Sequence, residues 1–217
     1  MRTVFALFNF KSSDLAAEER NYLDYHVQLA RQLPGLRRYI IGRLRGPAGQ
    51  PPPYYRAATL SFDSNDGKRS AMRDSPVAKP LAADGDAHMS STRWLELESD
   101  VIVPFTAKQL GRDYFVMAAE FDVKLELLDL AAAEKRYLDH HTYLARRLPG
   151  LRHYLIGRLM PVAGTPPERL RMAAMVFDDF EALKAAYRSP AGRELAKDEE
   201  ATITNARVYR IDATVQI

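Results

Sequence analysis

One stretch of this chain of 217 residues is written twice. Tyr22 to Leu44 reads YLDYHVQLARQLPGLRRYIIGRL, and Tyr137 to Leu159 reads YLDHHTYLARRLPGLRHYLIGRL. From Asn21 and Arg136 onward about 17 of 24 positions are identical, at a constant offset of 115 residues. A period that long exceeds any solenoid unit and predicts two copies of one small domain. Each half is large enough to bury a core. The expected halves are residues 1–105 and 106–217.

The elements follow from the pattern on either side of the repeat. Thr3 to Phe10 is rich in aromatic and branched residues and predicts a strand. Ser13 or Asp14 then caps a helix, with Glu18 and Glu19 near its positive end. Leu15, Tyr22, His26, Leu29 and Leu33 recur at helical spacings on one stripe, and Pro34-Gly35 ends the run. Leu36 to Leu44 reads as a strand, with Leu36, Ile40 and Leu44 on one face and Tyr39, Ile41 and Arg43 on the other. After a Gly/Pro-rich loop from Gly46 to Pro53, Tyr54 to Phe62 is a strand. Helices are expected from Ser64 to Arg73 and from Ser75 to about Asp84, before a strand from Thr92 to Val103. The second half repeats this order, with its long helix spanning Leu130 to Leu148. Strand, helix, strand, strand, helix, strand is the split βαβ, ferredoxin-like arrangement. Such a sheet has helices on one face only, yet the strands here are apolar on both, so the bare face needs a cover. The other copy supplies it, giving two antiparallel sheets packed into one α+β barrel about an internal pseudo-two-fold axis.

Composition removes several functions. The net charge is +3, but 31 basic residues stand among 28 acidic ones without a long run of either sign, so no nucleic-acid footprint is expected. There are no cysteines, which excludes disulfides and thiolate chemistry. No apolar stretch is long enough for a membrane span, and the N-terminus lacks a signal peptide's apolar segment. The expectation is a soluble, cytoplasmic protein.

The aromatic residue, the His four positions on, Leu29 and then LPGL and R-x-Y make a pattern that resembles the EthD-like family of the dimeric α+β barrel superfamily. In the second half FDDFEALKAAYRSPAGRELAKDE is similar to that family's strand-to-helix segment, with its Ser-Pro and later Asp. The chain departs from the family in having Gln28 and Tyr143, where Pro usually follows the His by two residues. The superfamily includes cofactor-free monooxygenases, polyketide cyclases and dehydratases, muconolactone isomerases and haem-handling enzymes, and a fold does not select among these.

His26 and His141 are the leading candidates for catalysis. Each sits mid-helix on the apolar stripe, where a His serves either as a hydrogen-bonded core residue or as a proton carrier, and the resemblance implies a place at the pocket. Imidazole titrates near neutrality, as isomerisation or dehydration requires. Tyr22 and Tyr137 stand one turn earlier and are either core aromatics or walls of a pocket for a planar substrate. Tyr39 and Tyr154 share a strand face with Arg43 and Arg158, and these four either hold a substrate oxygen or form an ion-paired sheet end. The resemblance matches Asp84 and Asp198 to the family's late Asp, which orients the His or caps a helix. His140 is expected to face away from His141, and His88 and His153 to be incidental. No metal-ligand spacing, phosphate loop or dinucleotide fingerprint is present, so no metal or organic cofactor is expected.

These readings lead to an EthD-like small-molecule enzyme acting on a small apolar or aromatic carbonyl compound by His-mediated proton transfer. Its class is an isomerase, cyclase or dehydratase, or a cofactor-free oxidoreductase. The alternatives are a small-molecule binding protein without turnover and a pure interaction module. A homodimer of the fused barrel is compatible with this. The second half carries the fuller pattern and is expected to hold the better-formed pocket.

Overall fold

The computed structural model describes residues 1–47, 50–105, 111–125 and 129–217. The expected join at 105/106, most of the Pro104 to Arg112 connection and part of the Gly46 to Pro53 loop fall outside the described residues. The first half runs β1 (Arg2–Phe10), α1 (Leu15–Asn21), a π-helical turn (Tyr22–His26), α2 (Val27–Ala30), β2 (Leu36–Arg45) and β3 (Arg56–Phe62). It continues with α3 (Asn65–Arg69), a second π turn (Ser70–Asp74), α4 (Ala78–His88) and β4 (Met89–Val103). The second half runs β5 (Asp113–Val123), α5 (Leu130–Arg136), a π turn (Tyr137–His141), α6 (Thr142–Ala145), β6 (His153–Met160) and β7 (Arg171–Phe177). It ends with α7 (Phe180–Arg188), α8 (Pro190–Thr202) and β8 (Ile203–Val215).

Local chemistry explains where the helices begin. Asp14 accepts from the Ala17 N–H, Ser64 from Gly67, Asp129 from Ala132, Asp179 from Ala182 and Ser189 from Gly192, each satisfying a donor that the first helical turn leaves open. The repeated Pro-Gly ends its segment each time with glycine at positive φ, +70° at Gly35 and +76° at Gly150.

The strands close into a barrel in the order β1-β3-β2-β8-β5-β7-β6-β4. Each half supplies a four-stranded antiparallel sheet, and the two sheets also join edge to edge. β2 pairs with β8 and β4 with β6, so none of the described strands leaves a free edge. Alternation along the strands divides the apolar residues into three cores. Phe5, Leu7, Ile40, Leu44, Leu155 and Leu159 point into the barrel. Phe8, Tyr22, Tyr39 and Ile41 meet the helices of the first half, and Phe121, Tyr137, Tyr154 and Ile156 meet those of the second. The apolar barrel interior is the shared cover that two-sided strands demanded. No described helix is long and apolar enough to cross a membrane.

Two expectations about the first helix are corrected. The continuous helix is interrupted by the π turn, in which the Val27 N–H reaches the Tyr22 carbonyl. This extra residue in the turn brings Val27 and Ala30 onto the buried face, where Leu33 lies as expected. Leu15, expected on the stripe, is instead 42% exposed, and Leu29 is only half-buried.

Candidate functional site

The π turns set the geometry of both candidate sites. Within each, the tyrosine and the histidine four residues later stack face to face. Their ring centroids are 5.3 Å apart for Tyr22 and His26 and 4.8 Å for Tyr137 and His141. The second helical layer then supplies a carboxylate. His26 Nδ1 lies 2.8 Å from Asp84 Oδ2 on α4, and His141 Nδ1 lies 2.8 Å from Asp198 Oδ2 on α8. A carboxylate facing Nδ1 selects the tautomer with its proton there and leaves Nε2 as the basic nitrogen. Neither Nε2 has a protein partner among the described residues. Burial lowers the pKa of both imidazoles below the usual 6.5, although the facing aspartate works against it. Burial thus favours the neutral form of both rings. Asn21 donates to the other oxygen of Asp84 at 3.1 Å, and Arg136 to that of Asp198 at 3.2 Å.

A second pair of residues holds each tyrosine from the opposite side. Arg56 lies 4.6 Å over the Tyr22 ring and Arg171 lies 5.3 Å over Tyr137. Arg56 is buried and gives Glu19 a bidentate pair, while Arg171 faces Glu134 at 3.2 Å. Burial alone would raise Glu19, but hydrogen bonds from Arg56 and Arg43 bring its pKa down to about 2. Sequence reading missed these arginines, although they match at the same offset of 115 as the motif.

The histidines border two hollows of similar size, about 310 Å³ beside His26 and about 330 Å³ beside His141. The expected advantage of the second half is not found, because the strands and helices that frame the two spaces are the same. Chemistry separates them instead. Met72 and Gly85 border the first hollow. The positions that correspond to them in the second are Tyr187 and Glu199, and the Tyr187 hydroxyl donates to Glu199 at 2.9 Å. Burial raises the pKa of Glu199 above the ordinary 4.5, so this carboxyl holds its proton more readily than a surface glutamate. Nothing in the repeated motif signalled it, since α8 differs from α4 here.

The other expected site residues separate into two groups. Tyr22, Tyr39 and Tyr137 border the hollows, whereas Tyr154 lies behind its wall. The hydroxyls of Tyr22, Tyr137 and Tyr154 are sealed from solvent, so Tyr22 and Tyr137 present ring surface to the hollows, not phenol oxygen. Arg43 and Arg158 border neither hollow. Each stands four residues beyond its tyrosine, roughly 13 Å along the strand, and Arg43 is spent on Glu19 at 3.1 Å.

The remaining histidines are not incidental. His88 Nδ1 meets Glu18 at 2.8 Å, and His140 comes within 3.7 Å of Asp198 while staying largely exposed. His153 sits at the barrel end, where its Nδ1 donates to the Val103 carbonyl at 2.6 Å and its Nε2 accepts from Arg38 at 2.9 Å. Burial and the neighbouring guanidinium push its pKa down to about 3. No cluster of three or more metal-ligating side chains occurs among the described residues.

Comparison with known proteins agrees with this architecture. Three solved structures share the fold along nearly the whole chain. A candidate monooxygenase of Fusobacterium nucleatum superposes with a TM-score of 0.69 at 9% identity, over 99% of this chain and 92% of that one. A candidate monooxygenase of Lactobacillus acidophilus gives 0.61 at 11% identity, over 100% and 97%. An anthrone oxidase-like protein gives 0.60 at 13%, over 99% and 93%. At such identities the likeness is one of fold alone. The profile of the EthD domain matches residues 126–205, the part of the second half that carries His141 and Asp198. An uncharacterised 11.0 kDa protein of Rhodococcus erythropolis, from the thcB-thcC intergenic region, is 35% identical over 72 residues, covering 33% of this chain and 69% of the relative. The chain therefore belongs to the EthD domain family.

Proposed function

We propose that the protein is a small-molecule enzyme whose second half moves a proton between two atoms of a small apolar or aromatic carbonyl compound. The observation that carries this reading is the joint presence of His141 and Glu199 in one apolar hollow. The neutral imidazole, its Nδ1 tied to Asp198, offers Nε2 as a base for a proton on the carbon beside the carbonyl. Asp198 then faces the imidazolium that forms. Glu199, inclined to keep its proton, donates to the developing enolate oxygen or to another carbon, and the tyrosine ring stacked on His141 provides a flat wall. Two groups with opposite tendencies in one site suit isomerisation, cyclisation or dehydration. The hollow is at the small end of the usual ligand-pocket range of roughly 300–1,000 Å³, which fits a compact substrate. The first half has His26 without a counterpart of Glu199, which favours binding without turnover at that site.

The test is deuterium uptake from heavy water at the acidic carbon of a panel of aryl 1,3-diketones, such as 1-phenyl-1,3-butanedione, followed by NMR. His141→Gln and Glu199→Gln should each slow a confirmed substrate about 100-fold or more, the range for loss of a general acid or base. His26→Gln should leave most of the turnover. Full activity in the double variant His26→Gln, His141→Gln would refute the assignment.

A further inference from the structure

Beside the first hollow lies a separate surface groove of about 540 Å³, formed where β4 meets β6 and roofed by α3 and its π turn. Met72 and Trp94 border both spaces, so the groove adjoins the hollow at these two side chains. The groove is basic. Arg2, Lys68, Arg69 and Arg73 line it, with Glu96 as the one lining carboxylate. Glu96 takes Lys68 at 2.5 Å, and Arg2 reaches Glu98 at 3.7 Å. Arg73 approaches only its neighbour Asp74, at 3.8 Å, and Arg69 has no partner among the described residues. Two guanidinium groups therefore remain for an anion, which they can hold in a forked pair of hydrogen bonds. The hollow itself is a poor place for negative charge, because its walls are apolar and Asp86 borders it.

The second half lacks this arrangement. Leu183 stands where Lys68 does, and Lys184, where Arg69 does, is taken by Glu181 at 2.5 Å. Val208 replaces Trp94, and the groove at the β2–β8 seam shares no lining residue with the His141 hollow.

We infer that the first half binds amphiphilic anions, with an apolar body in the His26 hollow and a carboxylate or phosphate at its far end held by Arg69 and Arg73. This specificity rests on the reading of the hollow as a small-molecule site and gives the two halves different ligands. Trp94 is the only tryptophan in the chain and is 45% exposed where the two spaces adjoin, so its fluorescence reports occupancy directly. The experiment titrates the full-length protein with 5-phenylpentanoate, 5-phenylpentyl phosphate and 5-phenylpentan-1-ol. At least one anion should bind about tenfold tighter than the alcohol, and which one does identifies the headgroup. Added salt should weaken the anions and leave the alcohol unchanged. In the variant Arg69→Gln, Arg73→Gln, whose altered side chains are both exposed, the anions should fall to the alcohol's affinity while the alcohol keeps its own. Equal affinity for all three probes, or an anion preference that survives the double substitution, would overturn the inference. If none of the three binds, the alcohol included, the small-molecule reading of the first hollow fails and the inference fails with it.

Discussion

At the scale of single residues, the two sites use the same imidazole-carboxylate pair and differ in what stands across the hollow. That difference has a consequence for pH. His141 must be unprotonated to act as a base, and burial places its pKa below 6.5. Glu199 must be protonated to act as an acid, and burial places its pKa above 4.5. Proton transfer at the second site should therefore follow a bell, falling on the acid side as His141 is protonated and on the alkaline side as Glu199 ionises. A pH–rate profile of kcat/KM checks this, and Glu199→Gln should remove the alkaline limb. A profile with no alkaline limb would exclude Glu199 as the acid. The candidate histidines were legible in the sequence because both copies keep them at one position of an apolar stripe. Glu199 was not, because its meaning depends on the unlike residue, Gly85, at the same place in the other copy.

At the scale of elements, the π turn is the feature that places the chemistry. A regular helix advances 100° per residue, so one residue more or fewer turns everything beyond it to a new direction. Deleting Leu138, which is 38% exposed, should convert the Tyr137–His141 turn into ordinary helix and carry His141 or Tyr137 off the hollow. The expected result is unchanged helical content by far-UV circular dichroism together with loss of the Asp198-paired imidazole signal by NMR. Retention of that signal would show that the turn does not position the ring. The helix starts at Asp14 and Ser64 were readable, since capping is local chemistry. The π turn was not readable, because its hydrogen bonds differ from those of an α-helix by a single residue of register. Tertiary packing of Tyr22 and Tyr137 against the strand decides between the two.

At the scale of the whole molecule, the barrel depends on two seams, and the repeat places a glycine at each. A Cβ on Gly42 would run into the backbone of Asp212 and the side chain of Ile211 across the β2–β8 seam. A Cβ on Gly157 would meet Leu97 Cδ2 at 2.9 Å and the Glu98 carbonyl at 3.0 Å across the β4–β6 seam. The Gly42 contacts are much closer than those of Gly157. Gly42→Ala should therefore cost about 3 kcal/mol in chemical denaturation and Gly157→Ala about 1 kcal/mol, within the range for overpacked cores. Equal costs would mean that the two seams close independently of these contacts. The buried ends of the barrel show how far the halves have diverged. On β5 the fully buried Glu120 accepts from Arg93 of the first half at 2.6 Å and from Tyr209 at 2.5 Å.

The sequence alone determined that there are two copies, their ferredoxin-like order of elements, the apolar character of both strand faces and the pairing of tyrosine with histidine on one stripe. Each of these is a periodicity or a local preference, and such signals survive in a single string of residues. Tertiary structure alone decided that the sheets join edge to edge, that Arg56 and Arg171 back the tyrosines, and that Arg43 and Arg158 fall beyond the hollows. It also decided that Glu199 and the Arg69–Arg73 groove make the two sites unlike. These outcomes depend on which distant side chains share one enclosed space, and that is set only when the strands have closed.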